Sequence, residues 1–160
     1  MIRRHGSPPA RGVRHRLRPG AYAILPLDGG VLLTVQSAED GPEVQLPGGG
    51  VDPGEQPLPA LYREVLEETG WTIARPVRLG AWRRFVWMPE YRMHAEKLCA
   101  VYLARPVRRT GPPREPGHEA VVLPPEEAAR RLAAPGDAAF LRAALGLAPS
   151  RGGPSRSAAR

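Results

Sequence analysis

Apolar and polar positions change period several times along the chain, and each change marks an element. Ala21–Leu27 and Val31–Val35 are nearly continuous apolar runs, which read as strands. Asp28-Gly29-Gly30 between them supplies residues that tolerate positive φ, which predicts a hairpin. Val44–Leu46 predicts a short strand stopped by Pro47, and Gly48 to Gly54 predicts loop. Over 57–69 the period becomes helical: Leu58, Leu61, Tyr62, Val65 and Leu66 share one side, and Gly70 supplies the stop. Pro57 and Pro59 fit because first-turn amides lack intrahelical partners. Trp71–Arg75, Val77–Val86, Leu98–Ala104 and Ala120–Leu123 then read as strands, with Trp87–Ala95 a loop and 105–118 a Pro- and Arg-rich connection. Pro125–Leu132 and Asp137–Leu145 read as two closing helices parted at Pro135-Gly136, with Asp137 placed to cap the second. The pattern predicts a mixed α/β (α+β) domain whose helices cover a sheet.

Composition adds limits. A chain of 160 residues, 42% of them hydrophobic, holds one domain with one core. No apolar run reaches the roughly 20 residues of a membrane span, and the start carries no apolar signal stretch. The single cysteine, Cys99, lies in an apolar run, where a buried free thiol is expected. These features predict a cytoplasmic protein.

The net charge of +7 resides in the ends. Residues 1–19 hold six arginines and no acid, and 147–160 hold three arginines and no acid. That leaves fourteen basic residues against all sixteen acids in 20–146, a net charge of about −2. The expected organisation is therefore a flexible Arg/Pro-rich arm (1–19, with a short strand near Val13–Leu17), one domain (20–146) and a disordered basic tail (147–160). Such arms can attract nucleic acid without sequence preference, but they lack the interleaved aromatics that single-strand binding favours.

The chemistry concentrates between Gly48 and Trp71. Glu64, Glu67 and Glu68 share one arc of the predicted helix, Glu64 and Glu68 one turn and about 6 Å apart along its axis. Like charges at this spacing destabilise a helix by about 0.2–0.5 kcal/mol per pair, and its one cation is Arg63. A hard divalent cation, Mg²⁺ or Mn²⁺, would relieve the repulsion and could meet a substrate phosphate there. Glycines 48–50 allow close backbone approach.

The order Gly49, Glu55, Arg63-Glu64-Val65-Leu66-Glu67-Glu68, Gly70-Trp71 resembles the signature of the Nudix hydrolases, and Leu46-Pro47-Gly48-Gly49 looks like the family's usual lead-in. Trp71 stands where an aliphatic residue is usual. The resemblance implies an α/β/α sandwich over about 20–145, with a mixed sheet and a catalytic loop-helix. It implies Glu64 and Glu68 as principal metal ligands, Glu67 as ligand or water-activating base, and the Gly48 carbonyl completing a coordination sphere. Arg63 would orient the carboxylates, and Glu55 would stand nearby as an outer acid. The implied reaction is attack of water on phosphorus in a nucleoside diphosphate linked to another moiety.

Beyond the motif, Glu119 is the first candidate for a further catalytic carboxylate and Glu96 the second, and His118 could meet a phosphate. Arg83, Arg84, Trp87 and Lys97, with Trp82 and Tyr91, could stack a base and neutralise phosphates. Val86, Trp87 and Met88 hold the positions of the markers for ADP-ribose and dinucleoside polyphosphates, so neither marker is present. The expected partner is a small nucleoside diphosphate derivative, with nucleic acid entering only as a capped or tail-bound substrate; a homodimer is left open. The competing readings are a catalytically silent Nudix-fold nucleotide-binding or regulatory module, and a basic nucleic-acid-binding protein.

Overall fold

The computed structural model describes residues 1–149. β1 is Arg3–Arg4, β2 Arg16–Leu27, β3 Gly30–Gln36, β4 Glu43–Gln45 and β5 Gly48–Gly50. Helix α1, Pro57–Thr69, leads into the long hairpin of β6 (Trp71–Met88) and β7 (Met93–Arg109), joined by a 3₁₀ turn at Pro89–Tyr91. β8 (His118–Leu123), α2 (Pro125–Arg131) and α3 (Pro135–Leu145) follow.

The strands form one mixed sheet in the order β1-β6-β7-β2-β3-β4, with β5 added to β2 and β8 to β3. β2 is its spine. It runs parallel to β7 from Arg16 to Ile24 and antiparallel to both β5 and β3. Its alternate side chains feed two cores. Ala21, Ala23 and Leu25 join Leu61 and Val65 of α1, while Ile24 joins Ala128, Leu132 and Leu141 from the α2 and α3 side. Helices therefore cover both faces, which explains why β2 reads as an unbroken apolar run. This is the α/β/α sandwich that the resemblance implied.

The β2–β3 turn has positive φ at both Asp28 and Gly29, as a two-residue primed turn requires. α1 ends at Gly70 in the left-handed region (φ 73), where its N–H bonds the Leu66 carbonyl. A Cβ on Gly70 would also lie 2.0 Å from the Gly111 carbonyl oxygen. Trp71, the motif's departure, packs partly buried against the α1-side core. Cys99 is a buried free thiol, and burial pushes its pKa up to about 11.

Several elements differ from expectation. Gly48–Gly50 is a strand: without side chains it lies close on β2, and a Cβ at Gly48 would stand 2.2 Å from the Ala21 carbonyl oxygen. Leu61 and Val65 are buried as expected, but Leu58 and Tyr62 are 41% exposed and Ala60, Glu68 and Thr69 are buried in their place, so the buried face is turned toward the acids. The two strands expected before and after Pro76 are one, β6, with register shifts around Arg75, which takes φ 54. Trp87–Ala95 is mostly hairpin, and the strand Leu98–Ala104 extends from Met93 to Arg109. β2 begins at Arg16, and Arg3-Arg4 pairs with Trp82 and Arg83, so parts of 1–19 are strand. The expected tail lies outside the described residues from Ser150 onward. Pro135-Gly136 opens α3 rather than breaking the chain, and Asp137 makes no cap; its carboxylate turns inward to accept a hydrogen bond from Trp82.

Candidate active site

Arg63 is the hub of the α1 carboxylates. Its Nε and Nη2 grip both oxygens of Glu55 at 3.0 Å, and Nη1 reaches Glu64 at 2.7 Å and Glu67 at 3.2 Å. Nη2 also donates to the Gly50 carbonyl at 3.3 Å. The hydrogen bond from Arg63 holds Glu55 below the usual carboxylate range, and these partners raise Arg63 above its own. Loop 52–55 is thereby tied to the helix through one guanidinium.

Glu68 lies deeper, 6% exposed, where its Oε2 accepts the Gly48 N–H at 3.0 Å. Burial pushes its pKa up to about 8, opposed by the Gly48 hydrogen bond and reinforced by Glu64, Glu115 and Glu67. Glu64 is raised as well, first by burial. The Glu64 carboxyl carbon packs so close to Gly49 that a Cβ there would stand 2.5 Å from it.

The third side of the acidic cluster comes from the segment between β7 and β8. The amides of Arg114 and Glu115 both donate to the Glu67 carbonyl, at 2.7 and 3.0 Å. They dock this segment on the C-terminal end of α1 and bring Glu115 to the cavity that Glu64 and Glu68 line. His118 Nδ1 is 2.9 Å from Thr34 Oγ1 and 3.5 Å from Glu68 Oε1, and burial lowers its pKa.

The cavity holds about 280 Å³. From β6, β7 and α3 the cavity is also lined by Arg84, Lys97, Trp82 and the acid Asp137. Arg84 and Lys97 are register partners, and the Arg84 guanidinium lies 5.7 Å from the Trp82 ring centroid. Arg84 Nε is the one buried side-chain nitrogen or oxygen without a hydrogen-bond partner among the described residues. Burial, then Arg84, lowers the Lys97 pKa. A partnerless guanidinium nitrogen and a neighbouring ammonium in a cavity are suited to an anion.

Asp137 is 5% exposed, with burial pushing its pKa up to about 6 from 3.8. An acid whose folded pKa is raised stabilises most below its unfolded pKa, and that contribution is lost as pH rises from about 3.8 to about 6. Asp137→Asn keeps an acceptor for Trp82. It is expected to raise the free energy of unfolding at pH 7 by about 1–3 kcal/mol and to leave it nearly unchanged at pH 3.5. Urea unfolding at the two pH values checks this; an equal effect at both would refute it.

The structure brings together Glu64, Glu68, Gly48, Arg84 and Lys97 on one cavity, with Arg63 and Glu67 at its edge. It separates others from it. Arg83 and Trp87 leave the opposite face of β6 from Trp82 and Arg84, because strand side chains alternate; Arg83 pairs with Glu96. Glu119 is exposed and alternates away from His118, so both candidate carboxylates outside the motif lie off the cavity. Glu115, Asp137 and Tyr22 also line the cavity, and no motif in the sequence marks them. Glu115 sits in an aperiodic stretch whose docking on Glu67 leaves no sequence trace.

The cluster offers hard oxygen donors: buried Glu68 and half-buried Glu64 repel each other, and exposed Glu115 at the cavity adds to this, which a divalent cation would relieve. As positioned, no three His, Cys, Asp or Glu side chains among the described residues converge as a ready cation site, since Arg63 and Gly48 occupy the carboxylates. The donor chemistry fits a hard divalent cation.

A family model described as NUDIX domain matches residues 15–144. The chain is 42% identical over 65 residues to a Bacillus subtilis protein named "Putative 8-oxo-dGTP diphosphatase", covering 41% of this chain and 43% of that one. It is 48% identical over 70 residues to the RNA pyrophosphohydrolase of Halorhodospira halophila, covering 43% and 38%. The matches thus span less than half the length of these curated relatives. A NUDIX hydrolase structure from Nitrosomonas europaea has the same fold, with TM-score 0.63 and 22% identity over 84% of this chain and 94% of that one.

Proposed function

The chain belongs to the Nudix family, and on that premise we propose that it hydrolyses a diphosphate linkage in a nucleoside diphosphate joined to another moiety, by attack of water on phosphorus. The observation that carries this reading is one cavity lined by carboxylates and cations together. Acids from α1 and the β7–β8 segment share it with Arg84 and Lys97 from the central strands. A phosphate chain is the ligand that needs both: cations for its own charge, and carboxylates to share a metal with it.

Glu64 and Glu68 are the proposed principal holders of Mg²⁺ or Mn²⁺, with the Gly48 carbonyl, Glu67 and Glu115 as further donors. When bound, such an ion supplies polarisation of phosphoryl oxygens and a coordinated water of lowered pKa. The protein's own contribution is position. Arg63 fixes Glu64, Glu67 and Glu55 in one network, so the carboxylates keep their spacing without a ligand. Glu67, 38% exposed, or Glu115 is the proposed acceptor of the attacking water's proton. Arg84 and Lys97 neutralise the non-bridging oxygens on the far side of the linkage, where Trp82 and Tyr22 exclude water.

A panel of nucleoside diphosphate sugars, dinucleoside polyphosphates, oxidised triphosphates and capped RNA, assayed with Mg²⁺ or Mn²⁺ in ¹⁸O-labelled water, tests the proposal. At least one substrate is expected to release a product carrying a single ¹⁸O on phosphorus, with turnover abolished by chelator. Binding across the panel without any turnover would instead support a silent nucleotide-binding module.

A further inference from the structure

Glu68 is approached from two sides, and only one of them belongs to the glycine-rich stretch before α1. Its Oε2 accepts the Gly48 N–H at 3.0 Å. Its Oε1 faces His118 Nδ1 at 3.5 Å, and both of these side chains are buried. A carboxylate held through one oxygen can still swing about that bond. A donor on the other oxygen fixes its plane, which is how groups behind a metal ligand set its orientation.

The His118 ring is itself anchored. Thr34 pairs with Ala120 and Gln36 with His118, so Thr34 and His118 are diagonal neighbours on one face of β3 and β8. Thr34 is fully buried and sets its Oγ1 2.9 Å from Nδ1. Gly117, at φ 76, turns the chain into β8, and its carbonyl accepts the Ser37 N–H at 2.9 Å. The same segment carries the Arg114 and Glu115 amides that donate to the Glu67 carbonyl. Residues 114–118 thus meet α1 at two successive glutamates, at the backbone of Glu67 and at the side chain of Glu68. The donor inventory then places a proton. An ionised carboxylate can only accept, whereas a threonine hydroxyl can accept or donate, so a proton on Nδ1 suits both neighbours.

We propose that His118 is a positioning residue: its Nδ1–H, anchored on Thr34 Oγ1, holds the Glu68 carboxylate in the orientation in which it meets a divalent cation. The inference rests on the reading of Glu68 as a metal ligand, and assigns the ring no contact with the substrate. It also gives the docking of residues 114–118 a consequence at the site, because the segment that brings Glu115 to the cavity aims Glu68 as well. Groups in such a position change metal affinity by about 10–100-fold when they are removed.

The test is Mn²⁺ binding to the full chain, without substrate, in the native protein and in Glu68→Gln, His118→Phe, His118→Asn and Thr34→Val, with thermal unfolding of each in chelator. His118→Phe keeps a ring and loses the donor, and is expected to weaken Mn²⁺ binding about 10–100-fold. His118→Asn places an amide N–H where Nδ1 stood and is expected to restore affinity to near the native value. Thr34→Val removes the anchor and is expected to weaken binding in the same direction by less, which carries the comparison should His118→Phe fail to fold. Long-range ¹H–¹⁵N correlation of the Mg²⁺-saturated protein is expected to show His118 Nδ1 protonated. Native affinity in both His118→Phe and Thr34→Val, an Asn variant as weak as Phe, affinities that follow unfolding temperature rather than the presence of the donor, or a bare Nδ1 would each overturn the proposal. Binding lowered by Glu68→Gln alone would sink this inference and leave the metal reading standing, whereas no uptake by the native chain would sink both.

Discussion

Glu68→Gln is expected to lower turnover by about 10²–10⁴-fold while the protein stays folded. The side chain is 6% exposed and Gln has nearly its shape, and the Gly48 N–H finds an amide oxygen where it found a carboxylate. What disappears is the charge. Burial already pushes the Glu68 pKa up to about 8, with Glu64, Glu115 and Glu67 adding repulsion. For a raised acid pKa, stability is full below about 4.5 and falls as pH rises towards 8, so in chelator the Gln variant should be the more stable one at pH 8. Glu64→Gln should lose turnover similarly but gain less stability, because Arg63 already compensates Glu64 at 2.7 Å. Steady-state kinetics beside thermal unfolding separate the two effects. Full activity in either variant would remove these residues from the proposed role.

The second large effect divides two adjacent glycines. At Gly49 a Cβ would meet the Glu64 carboxyl group at 2.5 Å, the far end of a flexible side chain. Gly49→Ala should displace that carboxylate at small cost to stability, and a displacement of about 1 Å lowers catalysis on the order of 10²-fold. At Gly48 the obstacle is backbone: Ala21 oxygen at 2.2 Å and Tyr22 Cα at 2.6 Å, with φ at 142. Gly48→Ala should therefore prise β5 from β2 and cost about 3 kcal/mol or more, a large part of a domain's stability. Urea midpoints and kcat/KM for the pair check this. Equal destabilisation, or an active Gly49→Ala, would contradict the geometry.

Much of this was readable from local chemistry. Helix 57–69, its Gly70 stop and the Asp28-Gly29 turn follow from periodicity and backbone preference, which act within a few residues. Helical spacing puts Glu64, Glu67 and Glu68 on one arc, while their proposed roles and that of Arg63 follow from the resemblance to the Nudix signature. What failed was long-range or concerned the facing of a strand. Grouping Arg83 and Trp87 with Arg84 ignored the two-residue alternation of β6, a signal present in the sequence. That Glu115 rather than Glu119 reaches the cavity depends on the hydrogen bonds that dock the β7–β8 segment on Glu67, which no pattern encodes. Asp137 has the chemistry of a helix cap, and only the packing of α3 on Trp82 turns it inward. Reading 48–50 as loop followed glycine's weak strand preference, whereas β2 accepts those residues because they lack side chains.

The central claim is that the α1 acids hold a divalent cation at the phosphate cavity. Titrating the purified chain with Mn²⁺ and following free ion by electron paramagnetic resonance tests it most directly. Saturable uptake is expected, strengthened by a non-hydrolysable nucleoside diphosphate analogue and strongly weakened in Glu64→Gln and Glu68→Gln. No uptake with or without nucleotide, or equal uptake by both variants, would contradict it.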